Sequence, residues 1–577
     1  MSVPAPAEIL SQVERILRSP GFQGSDSICR LLRRTVEKTL QGEQESLKEY
    51  VLGSEVFGRG AQFDPSHDAI VRVEAHKLRE KLEAYYRSEG ARDPVRIELP
   101  KGHYVPVFRS AAFPRRHTIA VLPFLNLSPG LDTSFFSDGL TEELMYVLSR
   151  MRDLSVIART STFQFKGTGV DIRGIGRALH TELILEGSVR LDANQLHVMI
   201  RLVRTEDSIQ LWSERFDREV EDVFQIQHQI AVAVSQALGT ELPVLPPAAP
   251  LMVYNLEAYN LYLKGRQLWN QRSEAGFCGA LAYFARAVAR EPRLSRAYAG
   301  MAETYVLMMM GSLAPARMLM PQAREAALAA LGIDPDLAQA RSALAAVHAL
   351  FDWDLEAAAI EFGRAIRLDF EYATAWHWRA LFCDGPAGRL ADAQVGIQTA
   401  ESFDPLSVPI LDDAGTVLYW QRRYAEAEAK DQSALELNPG FHRSHMWLAR
   451  HYAAWGRYTD AVAHCEQALA EMGGDAYRSF ALGTLGYAHA RLGHWVEAER
   501  TMASLKALDE RCHASAFDMA ILETGREGCA EAFAYLEEAV VQRTGWLIWL
   551  NVEPLLDGLR PHARFAQIQR MVFEAGR

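Results

Sequence analysis

The residues best suited to chemistry are basic and close together. Arg72, His76, Lys77 and Arg79 fall within the run Val71-Arg-Val-Glu-Ala-His-Lys-Leu-Arg-Glu80, and Lys101 sits further on in a Pro-Lys-Gly turn. A guanidinium is a rigid fork of donors that matches paired acceptors such as a carboxylate, a phosphate or a guanine edge; an ammonium is a point charge suited to phosphate. A second constellation, Asp138, Glu142 and Glu143, could be imagined as paired carboxylates. It reads instead as solvated positions near a helix N-terminus, where acids favour the helix dipole. There is no Gly-x-Ser-x-Gly and no His-Glu-x-x-His, and Gly167-Thr-Gly and Gly174-Ile-Gly lack the Gly-Lys-Ser/Thr context of a phosphate loop. Cys29, Cys278, Cys383, Cys465, Cys512 and Cys529 form no Cys-x-x-Cys and no Cys/His cluster, so they read as buried free thiols. The expectation is a protein that is not an enzyme and needs no metal or cofactor.

The elements that must position the basic cluster follow from periodicity. Val71, Ala75, Leu78, Leu82 and Tyr85 recur at helical spacing as one apolar face, which leaves Arg72, His76 and Arg79 on a polar flank. That helix is expected over Ser66 to Tyr86, opened by Asp64-Pro65-Ser66, after helices over Ser27 to Leu40 and Ser46 to Val56. A hairpin of Val95 to Leu99 and Tyr104 to Phe108 follows, turned by Pro100-Lys101-Gly102. Helix, helix, long helix, hairpin is the winged-helix order.

Here the sequence resembles the winged-helix effector domain of OmpR/PhoB-type response regulators. Val71, Val73, Ala75, Leu78, Arg79, Lys81 and Leu82 match the recognition-helix pattern, and Val95 to Tyr104 matches the wing, with Lys101-Gly102 in place of Arg-Gly. The wing is one residue shorter, and Glu74 and Glu80 stand at positions often neutral or basic. The resemblance implies a third helix in the major groove and a wing on phosphate, with Arg72, His76, Lys77, Arg79 and Lys101 as DNA contacts. His103 reads as a turn residue. The Asp-bearing receiver domain of response regulators is not recognisable in the sequence, so phosphorylation is not expected to activate the chain.

From His117 to about residue 240 the texture is α/β. Strands are expected over His117 to Phe124, Leu154 to Ala158, Glu182 to Val189, Leu196 to Val203 and Ile209 to Phe216, with helices over Phe135 to Met151, Asp171 to Leu179 and Val223 to Leu238, giving a mixed sheet. The strings IAVLPF, FFSDGLTEEL, IARTSTFQFKG, ILEGSVR and LWSERFDR resemble the TolB-N-terminal-like domain found before repeats in many bacterial proteins.

From residue 255 onward small and aromatic residues recur with a period near 34. Gly415, Tyr424, Ala427, Ala434 and Pro439 make the clearest unit, followed by Ala449, Tyr458, Ala461, Ala468 and Gly473. Ala287 with Pro292, Ala330 with Pro335, Ala365 with Phe370 and Ala400 with Pro405 keep the same spacing. Small residues allow close helix approach and proline stops the second helix. The pattern resembles tetratricopeptide repeats, about seven or eight units, stretched near 300 to 335 and degenerate from Cys512. Trp376, Trp378, Tyr419 and Trp447 read as packing residues, and the segment from Thr544 with Phe565 as a terminal cap.

These readings give three domains: a winged helix over 1–110, an α/β domain over 111–245 and an all-α repeat solenoid over 250–577. The net charge is −12, yet residues 1–110 hold 17 Lys+Arg against 16 Asp+Glu, so the acidity lies further along. No run of about 18 apolar residues occurs, and Glu8 and Glu14 interrupt the start, so a cytoplasmic, bacterial protein without membrane contact is expected. The expected function is transcription regulation, with double-stranded DNA and an unidentified protein as partners and a possible homodimer. The alternatives are a scaffold that does not bind DNA and a regulatory subunit of a cyclase-like system.

Overall fold

The computed structural model describes residues 6–574 except 20, 41–42, 44–45, 60–62, 65–66, 88–89, 91–92, 94, 101, 111–116, 129–133, 150, 152–153, 193–194, 220–222, 239–255 and 513–514. The chain forms two compact units, Met1–Arg116 and His117–Arg577. Among the described residues no helix is long and apolar enough to cross a membrane.

The first unit has four helices, α1 (Pro6–Arg18), α2 (Asp26–Leu40), α3 (Glu49–Glu55) and α4 (Ile70–Arg87), then an antiparallel pair, β1 (Val95–Glu98) and β2 (Val107–Ser110). Sequence reading missed α1, whose Ile9, Val13 and Ile16 recur at helical spacing and are buried in the same core as α4. The apolar face of α4 is buried as its spacing requires: Val71, Ala75 and Leu78 have no exposure. Its start differs from the expectation. Asp68 Oδ1 accepts the Ile70 N–H at 3.0 Å, satisfying a free donor of the first turn, whereas Pro65 and Ser66 lie outside the described residues.

The second unit begins with a mixed sheet of six strands. These are β3 (His117–Val121), β4 (Leu125–Asn126), β5 (Leu154–Val156), β6 (Leu183–Asp192), β7 (Gln195–Arg204) and β8 (Gln210–Glu219), in the order β5-β3-β6-β7-β8 with β4 beside β6. Strand β3 runs parallel to β5 and β6, while β6, β7 and β8 form an antiparallel meander. Helices α5 (Ser134–Ser149), α6 (Arg159–Thr162), α7 (Ile172–Leu179) and α8 (Val223–Leu238) complete this layer. Asp171 caps α7 by accepting the Gly174 N–H at 2.8 Å.

Eight helix pairs follow among the described residues, from Leu256–Trp269 to Cys529–Gln542. Helices Val408–Trp420 and Tyr424–Leu437 are repeated 34 residues later by His442–Trp455 and Tyr458–Glu471. Helices end at Arg290, Ile333, Phe403 and Leu437, each two residues before the stopping proline, as the restriction on pre-proline backbone demands. The stretched unit has helices of 16 and 18 residues, Ser295–Met310 and Ala316–Ile333.

The tail covers the last pair, where His562 meets Phe533 and Arg564 pairs with Glu537 at 2.7 Å, and it also extends further. Gly545–Asn551 and Pro554–Leu559 are 3-10 turns that reach back across the solenoid. Trp549 Nε1 donates to the Leu381 carbonyl at 2.9 Å, its ring meets Phe382, Trp420 and Trp447, and Trp546 meets Phe480. Sequence alone could not show this, because the partners lie more than 60 residues upstream. The first and late repeats also touch: the Tyr477 N–H donates to Gly311 O at 3.0 Å, and the Asp475 N–H to Glu274 at 3.2 Å.

Gly415 marks a close helix approach within a pair. A methyl group there would lie 2.7 Å from Asp431 Oδ1 and 3.3 Å from the Ala427 carbonyl. Asp431 cannot easily move, since it is buried and bonded to His451 Nδ1 at 2.6 Å. Gly415→Ala is therefore expected to destabilise the helical unit by about 1–3 kcal/mol, read as a lower urea midpoint of the circular dichroism signal. Gly440→Ala, with open space around it, is the control and should leave the midpoint within about 0.5 kcal/mol.

Candidate functional sites

In the first unit α4 carries the basic cluster, and each described member already has a partner. Arg72 Nε lies 3.1 Å from Glu49 on α3, His76 Nε2 lies 3.5 Å from Glu80, and Lys77 Nζ lies 2.8 Å from Glu74. Glu74 also accepts from Ser27 Oγ at 2.7 Å, and the Lys77 hydrogen bond, followed by that of Ser27, holds its carboxyl below the usual range. Arg72, His76 and Lys77 remain more than half exposed, so these pairs are of the weak surface kind.

Arg79 differs. Its Nε donates to Leu99 O at 2.9 Å and its Nη2 to Pro100 O and His103 O, each at 3.1 Å. One guanidinium thus fastens the β1–β2 hairpin to α4 through three backbone carbonyls, and His103 takes part through its carbonyl. Lys101 lies outside the described residues. Arg79→Ala should lower the stability of residues 1–116 by about 1–3 kcal/mol in urea, since three carbonyls lose a charged donor, whereas Arg72→Ala should change it by less than about 0.5 kcal/mol.

The second site lies inside the second unit, where the α/β layer meets the helix pairs. Strand β5 is a sheet edge, and its outward N–H groups would need water or a partner. The solenoid supplies both acceptors: the Val156 N–H donates to Glu371 Oε2 at 3.0 Å, and the Ala158 N–H to Phe403 O at 2.8 Å. Ser161 Oγ donates to Asp404 at 2.6 Å while accepting the Leu406 N–H at 2.8 Å.

Glu142 is a correction to the sequence reading. It is not a solvated helix residue but bridges Arg159 at 3.1 Å and Arg266 of the first repeat helix at 3.4 Å. Asp138 is likewise buried, paired with Lys166 Nζ at 2.6 Å. The side chain of Glu143 lies outside the described residues. The thiols also differ from expectation: Cys383 and Cys465 are buried, but Cys278 is exposed. Among the described residues no group of His, Cys, Asp and Glu is arranged to hold a metal ion.

Between the layer and the solenoid lies a cavity of about 510 Å³. Trp378, Trp447, Trp546 and Trp549 line it, so residues expected to pack do pack while also forming a wall. Its polar side holds Asp413, which takes His377 Nε2 at 2.7 Å and Arg443 Nη2 at 2.6 Å. Burial opposes the Asp413 charge, but Arg443 and His377 outweigh it and keep the carboxyl below its usual range. Sequence reasoning missed this site because its residues come from segments up to 400 positions apart, with no local motif.

Asp404 is the carboxyl at the contact between layer and solenoid whose proton affinity is raised by burial. Burial pushes its carboxyl up to about 6 from 3.8, against the hydrogen bonds of Ser161, Thr160 and Ser407. The native state therefore binds this proton more tightly than the unfolded chain. The stabilising contribution is fully present below 3.8 and lost as pH rises through about 6. The stability of the wild type relative to Asp404→Asn should rise by up to about 3 kcal/mol between pH 7 and pH 4, measured by denaturant titration at each pH.

Known proteins resemble parts of this chain. Residues 115–233 match the second domain of HilA/YgeH-like transcriptional regulators. A putative adenylate cyclase 3 of Rhizobium meliloti (strain 1021) is 33% identical over 190 residues, 33% of this chain and 32% of that protein. The chain thus spans about a third of the length of this curated relative. Among solved structures, a tetratricopeptide repeat protein from Parabacteroides merdae is 14% identical, covering 47% of this chain and 98% of its own, with a TM-score of 0.33. Human IFIT1, bound to m7Gppp-AAAA, is 16% identical over 56% of this chain and 82% of its own, with a TM-score of 0.38. The repeat architecture itself rests on the helix pairs and their 34-residue offset.

Proposed function

We propose that this chain is a transcription regulator: residues 1–116 bind double-stranded DNA as a winged helix, and residues 117–577 receive a protein partner or signal. The observation that carries the reading is order along the chain. A helix, helix, long helix, hairpin arrangement directly precedes a segment matching the second domain of transcriptional regulators. Helix α4 would enter the major groove, with Arg72, His76 and Lys77 exchanging their acid partners for base edges and phosphate, and Lys101 on phosphate from the hairpin turn. Arg79 would act by holding hairpin and helix in register. The protein works without catalysis, in the cytoplasm, and binds as a dimer on paired half-sites.

A second reading, a scaffold that does not bind DNA, is favoured by the acids Glu49, Glu74 and Glu80, which compensate the basic face. Fluorescence anisotropy of residues 1–116 against sites enriched by selection and scrambled duplexes separates the two. Arg72→Ala should cost about 1–3 kcal/mol on the preferred site and little on scrambled DNA. Lys101→Ala should weaken both alike and lower the salt slope by about one unit. No binding by the wild type at low salt would leave the scaffold reading standing.

A further inference from the structure

Among the described residues, the arginines that line the cavity of the second unit are ion-paired except one, Arg272. Arg266 is matched by Glu303 at 2.8 Å and by Glu142, and Arg443 by Asp413 and Asp412. Arg272, in the turn between the first two repeat helices, has no carboxylate within ion-pair distance among the described residues. Its guanidinium lies 3.6 Å over the ring of Trp269, which also carries Arg266 at 4.4 Å. Burial drives its pKa down to about 10, only partly countered by the more distant Glu303 and worsened by Arg266. Arg272 is half-buried, and a partly desolvated cation without a paired carboxylate is costly, a cost that a bound anion would offset.

The neutral polar groups of the wall point the same way. Among the described residues, the fully buried side-chain polar atoms of the lining that lack a hydrogen bond are all N–H donors. Setting aside the ion-paired Arg159 and Arg266, these are Trp269 Nε1, Asn270 Nδ2, Trp447 Nε1 and Trp546 Nε1. Buried donors ordinarily find acceptors, and the carboxylates of the wall, Glu142, Asp369, Glu371, Asp404 and Asp413, do not hydrogen-bond to these four. One side of the wall is a continuous aromatic run, Trp378 to Phe382 to Trp549 to Trp447 and Trp546. At about 510 Å³ the space falls in the range, roughly 300–1,000 Å³, that encloses a small organic molecule.

We propose that this cavity binds a small organic anion, its carboxylate or phosphate group against Arg272 and its apolar body along the tryptophan wall. Such a ligand would touch the α/β layer and the solenoid together, since both line the space. It would therefore strengthen their contact by its binding free energy. The site does not depend on the DNA-binding reading, because none of its residues lies in the first unit.

The test is isothermal titration calorimetry of the full chain with decanoate, decyl phosphate and decanol, which share an apolar body and differ in headgroup. One-site binding of decanoate or decyl phosphate at least tenfold tighter than decanol is expected, and the tighter of the two anions identifies the headgroup. Arg272→Asn, chosen because asparagine tolerates the left-handed backbone at this position (φ 51°), should abolish the preference for the anion, and Arg272→Lys should keep it. The tryptophan emission of the wild type should change saturably with the same affinity, a readout that requires no variant. Equal affinity for anion and decanol, no saturable binding of either anion, or a preference that survives Arg272→Asn would overturn the proposal.

Discussion

The second unit depends on the filling of the inner side of its repeats. The first helices of successive pairs, Val408–Trp420, His442–Trp455 and Arg478–Arg491, are buried along nearly their whole length. Their partners Tyr424–Leu437 and Tyr458–Glu471 bury only a stripe, Ala427, Asp431 and Ala434 in one and Ala461, Cys465 and Ala468 in the other. A helix of an open solenoid keeps one face in water, so burial on every side means that something else covers the first helices. Two segments of the same chain do so: the tryptophan-bearing tail and the edge of the α/β layer. The cost of this arrangement is visible at Arg450, a fully buried guanidinium that bonds Thr484 at 2.8 Å and faces Asp518 and, from the tail, Glu553. Tyr419 completes the group by donating to Glu553. Buried charges of this kind contribute less to net stability than to uniqueness, because removing one partner strands the others.

That arrangement changes what the repeats can do. Repeat proteins usually present an extended concave surface to a partner. Here much of that surface is covered from within the chain, and what is left is a partly open space with an aromatic wall and, among the described residues, one arginine without an ion pair. A protein partner must use the outer helices or displace the tail or the layer. A small molecule needs neither. The contact between layer and solenoid includes directional bonds from β5 and Ser161 to Glu371 and Asp404, in turns between repeat helices, and from Glu142 of α5 to Arg266 of the first repeat helix, so a ligand bound beside them would couple to layer docking.

What was legible in the sequence follows from how local each signal is. The burial of Val71, Ala75 and Leu78, the strands of the meander and the 34-residue helix pairs depend on periodicity within one segment, and they appear where the spacing put them. Prolines at 292, 335, 405 and 439 mark helix ends because their effect acts on the preceding residue. The roles of Arg79, Glu142 and Trp549 were not legible, since each side chain takes its meaning from a distant partner: the hairpin carbonyls, Arg266 and the Leu381 carbonyl. A carboxylate near a helix N-terminus looks the same in sequence whether it faces water or an arginine more than a hundred residues away. The helix α1 was legible in principle, since Ile9, Val13 and Ile16 recur at helical spacing after Pro6, a residue suited to a first turn.

The central claim is that the tail and the β5 edge fill the inside of the repeats. Hydrogen–deuterium exchange of the full chain, read by mass spectrometry, tests it directly. Peptides covering 545–559 and 154–162 should be protected to the same degree as those of Val408–Trp420, because their N–H groups and rings are enclosed by the helices. Exchange of both segments within seconds, while 408–420 stays protected, would mean that the inner surface is open and would contradict the account.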